Sequence, residues 1–123
     1  MPRIVRLVLT VQAMYYLVTG VWPILHLASF EAVSGPKTDD WLVRMVALLV
    51  VVIGATLWTA VRRRTWTREV QVLAIGSALA FAAIDIRYAV AGRISPIYLA
   101  DAGLELAFVA LLLTYLAAPA EPS

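Results

Sequence analysis

Four apolar stretches of roughly 20 residues each, parted only by short polar segments, leave this chain of 123 residues one solvent for most of its surface, the lipid bilayer. A helix needs about 20 residues to cross a hydrocarbon core of about 30 Å, and four such stretches use nearly the whole chain. With 63% hydrophobic and 15% charged residues, the apolar side chains cannot be hidden in one small soluble core. The sequence is read as an all-α integral membrane four-helix bundle of up-down-up-down topology. One transmembrane domain covers residues 1–123, with helices expected at about 4–27, 41–61, 69–91 and 96–118. The absence of cysteine excludes disulfides, thiolate metal sites and cysteine nucleophiles. The net charge of +2 does not point to nucleic acid, because three of the ten basic residues form one run, Arg62-Arg63-Arg64, between two apolar segments.

The first stretch is too long for a signal-peptide core and lacks a small-residue cleavage site at its end, so it is read as a retained helix. The loop over 28–40 carries Glu31, Gly35-Pro36, Lys37 and Asp39-Asp40, whose last two side chains suit capping of the next helix. Thr67 is expected to cap the third helix, with Glu69 in its first turn, and Gly92 to end it. Ser95-Pro96 opens the fourth, since serine caps free amides and proline at the first position leaves none unpaired.

Lysine and arginine gather on cytoplasmic flanks. Arg3 and Arg6 precede the first span, and Arg62, Arg63, Arg64 and Arg68 join the second to the third, so both termini are placed in the cytoplasm. Trp22, Trp41 and Tyr98 then fall at the outer boundary and Trp66 and Tyr115 at the inner one. A multi-pass protein of the cell membrane, a bacterial inner membrane, is expected. Trp41-Leu42-Val43-Arg44 and Tyr98-Leu99-Ala100-Asp101 echo each other at the start of the second and fourth helices, as a parallel repeat of two hairpins would require.

Charges within spans are costly and face the bundle interior or water. Here they are Arg44, Asp85, Arg87, Asp101 and Glu105, and all fall in the outer half. At a rise of about 1.5 Å per residue, Arg44 and Asp101 lie about 5 Å inside the outer boundary, and Asp85 and Glu105 about 10 Å. Asp101 and Glu105 share one face of the fourth helix, and Asp85 and Tyr88 one face of the third. Arg87 points elsewhere and can snorkel outward. On the first helix Gln12, Tyr15, Thr19, Trp22 and His26 recur at steps of three and four, a polar stripe that belongs inside the bundle. The candidate ligand-binding residues are therefore Asp85, Asp101, Glu105, Arg44, Tyr88, Tyr15, Trp22, His26 and Gln12, around a cavity polar at its outer mouth and aromatic below.

An ion-pair network that fixes helix register, with Arg44 opposite Asp101 and Asp85, accounts for the same charges. Against it, three carboxylates face at most two arginines, and crowded carboxylates in low dielectric repel, which calls for a proton or a cation. A lone histidine without a second histidine or any cysteine is no metal site, and none is assigned. No phosphate-binding glycine loop, nucleophilic serine elbow or dinucleotide fingerprint occurs, so no cofactor is implied. Ala100, Gly103, Ala107 and Ala110 form a small-residue stripe roughly opposite the two acids of the fourth helix, able to admit a partner helix or a second copy. Gly76, Ala80 and Ala83 on the third helix suit helix packing as well.

The segment Phe30 to Arg44, with Asp85, Tyr88, Pro96-Ile97-Tyr98, Asp101 and Glu105, resembles a group of small bacterial four-helix membrane proteins to which no activity attaches. Emopamil-binding, sigma-2-type and DoxX-type proteins share the helix count and intramembrane carboxylates in general terms, and no residue role is carried over from them. The leading expectation is a binding protein for a small amphipathic or cationic molecule or a lipid. The alternatives are an accessory subunit docked through the small-residue stripe, and a membrane enzyme moving protons on a lipid or isoprenoid substrate through its carboxyls. The expected partners are the lipid bilayer, a second copy or another membrane protein, and a small amphipathic ligand, with no nucleic acid.

Overall fold

The computed structural model describes residues 1–116, which form five helices and no strand: α1 Arg3–Leu25, α2 Leu27–Ser34, α3 Asp40–Arg63, α4 Arg68–Val90 and α5 Tyr98–Leu113. Three of them, α1, α3 and α4, are long and apolar enough to cross a membrane, and each falls within two residues of an expected span. The helix ends follow from local chemistry. The Thr67 hydroxyl accepts from the Val70 amide, as its N-cap role demands. Gly92 ends α4 at φ 75°, with the Arg93 amide reaching Tyr88 O at 2.9 Å and the Gly92 amide reaching Ala89 O at 3.1 Å, a Schellman closure that only a left-handed residue completes. The same closure ends α3 on Arg64, at φ 53°, with the Thr65 amide on Ala60 O.

The region 28–40 is not a plain loop. Pro23 removes one amide from α1, and His26 leaves helical geometry at φ −151°, after which the chain turns into α2. The His26 imidazole accepts from the Ser29 amide at 3.2 Å and so caps α2. Trp22 donates to Ser29 Oγ at 2.8 Å and meets Phe30 edge to face, which holds α2 against the end of α1. Asp39 stands at the N-cap of α3 but makes no side-chain cap bond; its carbonyl takes the Leu42 and Val43 amides instead.

The fourth expected helix is shorter than anticipated. Ser95 and Pro96 form a tight lead-in of three-residue steps, with Tyr98 bonded to Ser95 O and Leu99 to Pro96 O, before α5 proper begins. Its 16 residues end at Leu113, and three-residue bonds tighten Thr114 to Leu116. At about 1.5 Å per residue α5 measures about 24 Å, and the anticipated end at 118 lies outside the described residues. Trp66, expected at the inner boundary, is instead buried in the core and donates to Tyr115 O at 3.3 Å, tying the α3–α4 turn to the end of α5.

The helices associate as two pairs. α1 lies along α3, and α4 along α5; the pairs meet mainly where α1 faces α5, with a lighter contact between α3 and α4. Two glycines set the first pairing. A Cβ on Gly20 would stand 2.9 Å from Ala47 O and 2.8 Å from Val51 Cγ2, and one on Gly54 would stand 3.1 Å from Ala13 O and 3.0 Å from Leu17 Cγ. The reciprocal register, 20 beside 47 and 54 beside 13, means that α1 and α3 run in opposite directions with their backbones close. The shared core joins Val5, Leu9 and Tyr16 to Leu57, Ala74, Ala78, Phe108, Val109 and Leu112. The opposite faces of α1 and α3 expose Leu7, Val18, Leu48, Leu49 and Val52, side chains suited to lipid.

Candidate functional site

Between the two helix pairs, α1 delivers three polar side chains to three carboxyls of α4 and α5. Gln12 and Tyr16 are one helical turn apart on α1, and Tyr15 flanks them. The Tyr16 hydroxyl donates to Glu105 Oε1 at 2.7 Å, and Gln12 Nε2 donates to the Tyr16 oxygen at 3.2 Å and to Ala74 O on α4 at 2.9 Å. Tyr15 donates to Asp101 Oδ1. Asp85 comes to the same cluster from α4, where its carboxyl lies in the fields of Asp101 and Glu105. Gln12, Tyr16 and Glu105 are at most 1% exposed and Asp85 is 6% exposed, whereas Tyr15 and Asp101 are partly open. Four rings surround the acids. Phe108 meets Tyr15 at 6.3 Å between centroids, Phe81 meets Tyr16 edge to face at 5.5 Å, and the two tyrosines stand 6.1 Å apart.

The cluster is electrostatically one-sided. Arg44 is exposed and acts, with Lys37, on Glu31 of α2; Arg87 is exposed as well. The anticipated pairing of Arg44 with Asp101 and Asp85 is therefore corrected: entering α3 only one turn after Asp40, Arg44 stays beside α2. Glu31 meets the Asp40 carboxyl, which, with burial, pushes its own carboxyl above the ordinary range against the pull of Lys37 and Arg44. Lys37 is held by Ser34 O, Ser34 Oγ and Gly35 O at 3.1, 3.1 and 2.7 Å, over the rings of Phe30 and Tyr98. No group of three or more histidines and carboxylates among the described residues is placed to hold a metal ion.

Of the nine residues singled out from the sequence, Asp85, Asp101, Glu105, Gln12 and Tyr15 come together. Trp22 and His26 serve the α1–α2 corner, and Thr19 bonds back to Tyr15 O in its own helix. Tyr88 is 37% exposed and joins none of the cluster's bonds or ring contacts. The walls come instead from Tyr16, Phe81 and Phe108. The one sequence signal for Tyr16 and Phe108 is spacing, four residues after Gln12 and three after Glu105, and it does not single either of them out. The anticipated open cavity is also corrected. The interior is filled by Gln12, Tyr16 and Glu105, and access narrows to the partly open Tyr15 and Asp101. Shallow clefts beside Arg68 to Leu73 and beside Arg3 to Val11 lie away from the cluster.

The small-residue stripe of α5 faces outward as its spacing required. Ala100, Gly103, Ala107 and Ala110 are all exposed, and nothing stands within 4 Å of where a Gly103 Cβ would be. Gly76, Ala80 and Ala83 of α4 are exposed too, and nothing stands within 4 Å of where a Gly76 Cβ would be.

Fold and site together define an all-helical protein with three membrane-length helices and an acidic, tyrosine-lined cluster between its helix pairs. Comparison with protein-family models, with curated proteins and with solved structures yields no match.

Proposed function

We propose that this is an integral membrane protein of four crossings that binds a small amphipathic cation at the Asp101 mouth of its carboxyl cluster. In this reading α5 and its flanking turns make the fourth crossing of an up-down-up-down bundle, and the arginine-rich ends of α1, α3 and α4 face the cytoplasm. The carrying observation is the unbalanced acid: Asp85 lies in the fields of Asp101 and Glu105, and its Oδ2 is buried without a partner. Buried anions require a compensating charge or proton. The ring set around them favours an organic cation, because the faces of Tyr15, Tyr16, Phe81 and Phe108 attract positive charge in a dry setting. Asp101 would contact the ligand, with Tyr15 and Phe108 as its walls, while Asp85 and Glu105 supply negative potential.

The test is calorimetric titration of the nanodisc-reconstituted protein with benzyltrimethylammonium and with its uncharged carbon isostere, neopentylbenzene. Preference for the cation, lost in the Asp85→Asn, Glu105→Gln double variant, is the expected outcome. Equal binding of both compounds, or unchanged affinity in the double variant, rejects the site.

A second reading is supported by the bare Gly103 surface: an accessory subunit, or a homo-oligomer, joined through Ala100, Gly103, Ala107 and Ala110. Gly103→Leu then abolishes co-purification of the partner, and a native protein that is strictly monomeric and partnerless excludes it.

A further inference from the structure

The carboxyl cluster holds more acceptors than its donors can serve. Tyr15 gives its hydrogen to Asp101 and Tyr16 gives its hydrogen to Glu105, so two hydroxyls serve two carboxyls. Asp85 is the third, and among the described residues no hydroxyl, amide or ammonium is bonded to it. Its Oδ2 is buried without a partner, although the residue is only 6% exposed. Gln12 cannot help, since its Nε2 is taken by Tyr16 and Ala74 O and its Oε1 is itself a buried acceptor with no donor. Its neighbours in the cluster are themselves carboxyls, and Asp101 acts on it ahead of Glu105. Two carboxyl groups bond to each other only when one of them supplies the hydrogen.

We infer that Asp85 and Asp101 share one proton in the resting protein, and that an organic monovalent cation entering at Asp101 displaces it, so that each cation bound releases one proton. This rests on the cation-binding reading above and adds the exchange to it. The step balances without covalent chemistry: the O–H bond of the shared carboxyl breaks, the electron pair stays on oxygen, the proton leaves to water, and the new carboxylate neutralises the cation. The partly open Asp101 side is the path for both. α1 presents Tyr15 and Tyr16, both donating; α5 presents Asp101 and Glu105; α4 adds Arg87 and Tyr88, which are exposed; and Arg44 of α3 stands beside Glu31. Among these groups of the described residues, none is a cation that substitutes for the proton.

Two measurements on nanodisc-reconstituted protein test the exchange. Infrared difference spectra should show the carbonyl stretch of a protonated carboxyl in the unliganded protein, absent in Asp85→Asn. Titration with benzyltrimethylammonium in buffers of different ionisation enthalpy should report one proton released per cation. Affinity should rise about tenfold per pH unit over the range in which the proton is held. In Asp85→Asn the amide supplies the hydrogen bond permanently, so proton release and the pH slope vanish; should that variant not fold, loss of the protonated-carboxyl band from the wild type on adding benzyltrimethylammonium at constant pH reads the same exchange, and a band that persists overturns it. Cation binding without proton release, or with an equal pH slope in the variants, overturns the exchange while leaving cation binding intact. No heat of binding at any pH overturns the exchange together with the reading beneath it.

Discussion

Tyr16 is the residue on which most of the cluster's order depends. Its hydroxyl donates to Glu105 and accepts from Gln12, so one oxygen links α1 to α5 and, through Gln12, to α4. Removing it strands buried polar atoms, at about 1–3 kcal/mol for a group left unsatisfied. Tyr16→Phe should therefore destabilise the protein by about that amount, while Tyr15→Phe, on the partly open side where water can replace the hydroxyl, should cost clearly less. Thermal unfolding in detergent checks the order; a larger loss for Tyr15→Phe contradicts it. Asp85, Glu105, Gln12 and Tyr15 were legible in the sequence because ionisable and amide groups in a span must turn inward. Tyr16 was not, because from Gln12 a step of three and a step of four are equally allowed, and the step to Tyr15 led on to a longer polar series. Arg44 was misplaced for a different reason: depth in a membrane follows from residue count, but the neighbour a side chain meets depends on rotation about the helix axis, which counting leaves free.

At the scale of elements, the contrast between glycines separates close packing from bare surface. Gly20 and Gly54 let α1 and α3 approach, whereas nothing stands near Gly103. Gly20→Ala sets a methyl against the Ala47 carbonyl and should destabilise the protein by about 1–3 kcal/mol, the cost of overpacking. Gly103→Ala should be neutral or stabilise by about 0.5–1 kcal/mol, through helix preference alone. Unfolding midpoints of the two variants provide the comparison, and a tolerated Gly20→Ala would mean the helices are not in this register. Three spans were readable because long apolar stretches between arginines have few alternatives. α2 was hidden: a polar, glycine- and proline-containing stretch reads as loop, and its helix exists because His26 caps it and Trp22 and Phe30 dock it. The Gly20–Gly54 seam was hidden too, since a close approach is a property of two helices and each contributes only isolated small residues.

For the whole molecule, the arrangement of two helix pairs with polar groups between them accounts for a chain that carries three acids in its apolar portion. Lipid offers one apolar helix little incentive to associate with another, so hydrogen bonds such as Tyr16 to Glu105 and Trp66 to Tyr115 O give the pairs a reason to stay together. The proposed topology makes its own prediction. Because the native chain has no cysteine, Thr38→Cys and Thr65→Cys give single labelling sites. A membrane-impermeant maleimide applied to intact cells should modify the first and spare the second until lysis; the reverse pattern refutes cytoplasmic termini. The sequence made the acidic half of the molecule visible but not its closure, because whether converging side chains leave a cavity depends on volumes that spacing does not encode.

The central claim is that α1's tyrosines meet the carboxyls of α5 inside the bundle, and a double-mutant cycle of Tyr16→Phe with Glu105→Gln measures that meeting directly. Unfolding free energies of the wild type, both single variants and the double variant should give a coupling of about 1–3 kcal/mol, as for buried partners in one network. A coupling near zero, with both single variants folded, would place the two side chains apart and remove the basis of the site.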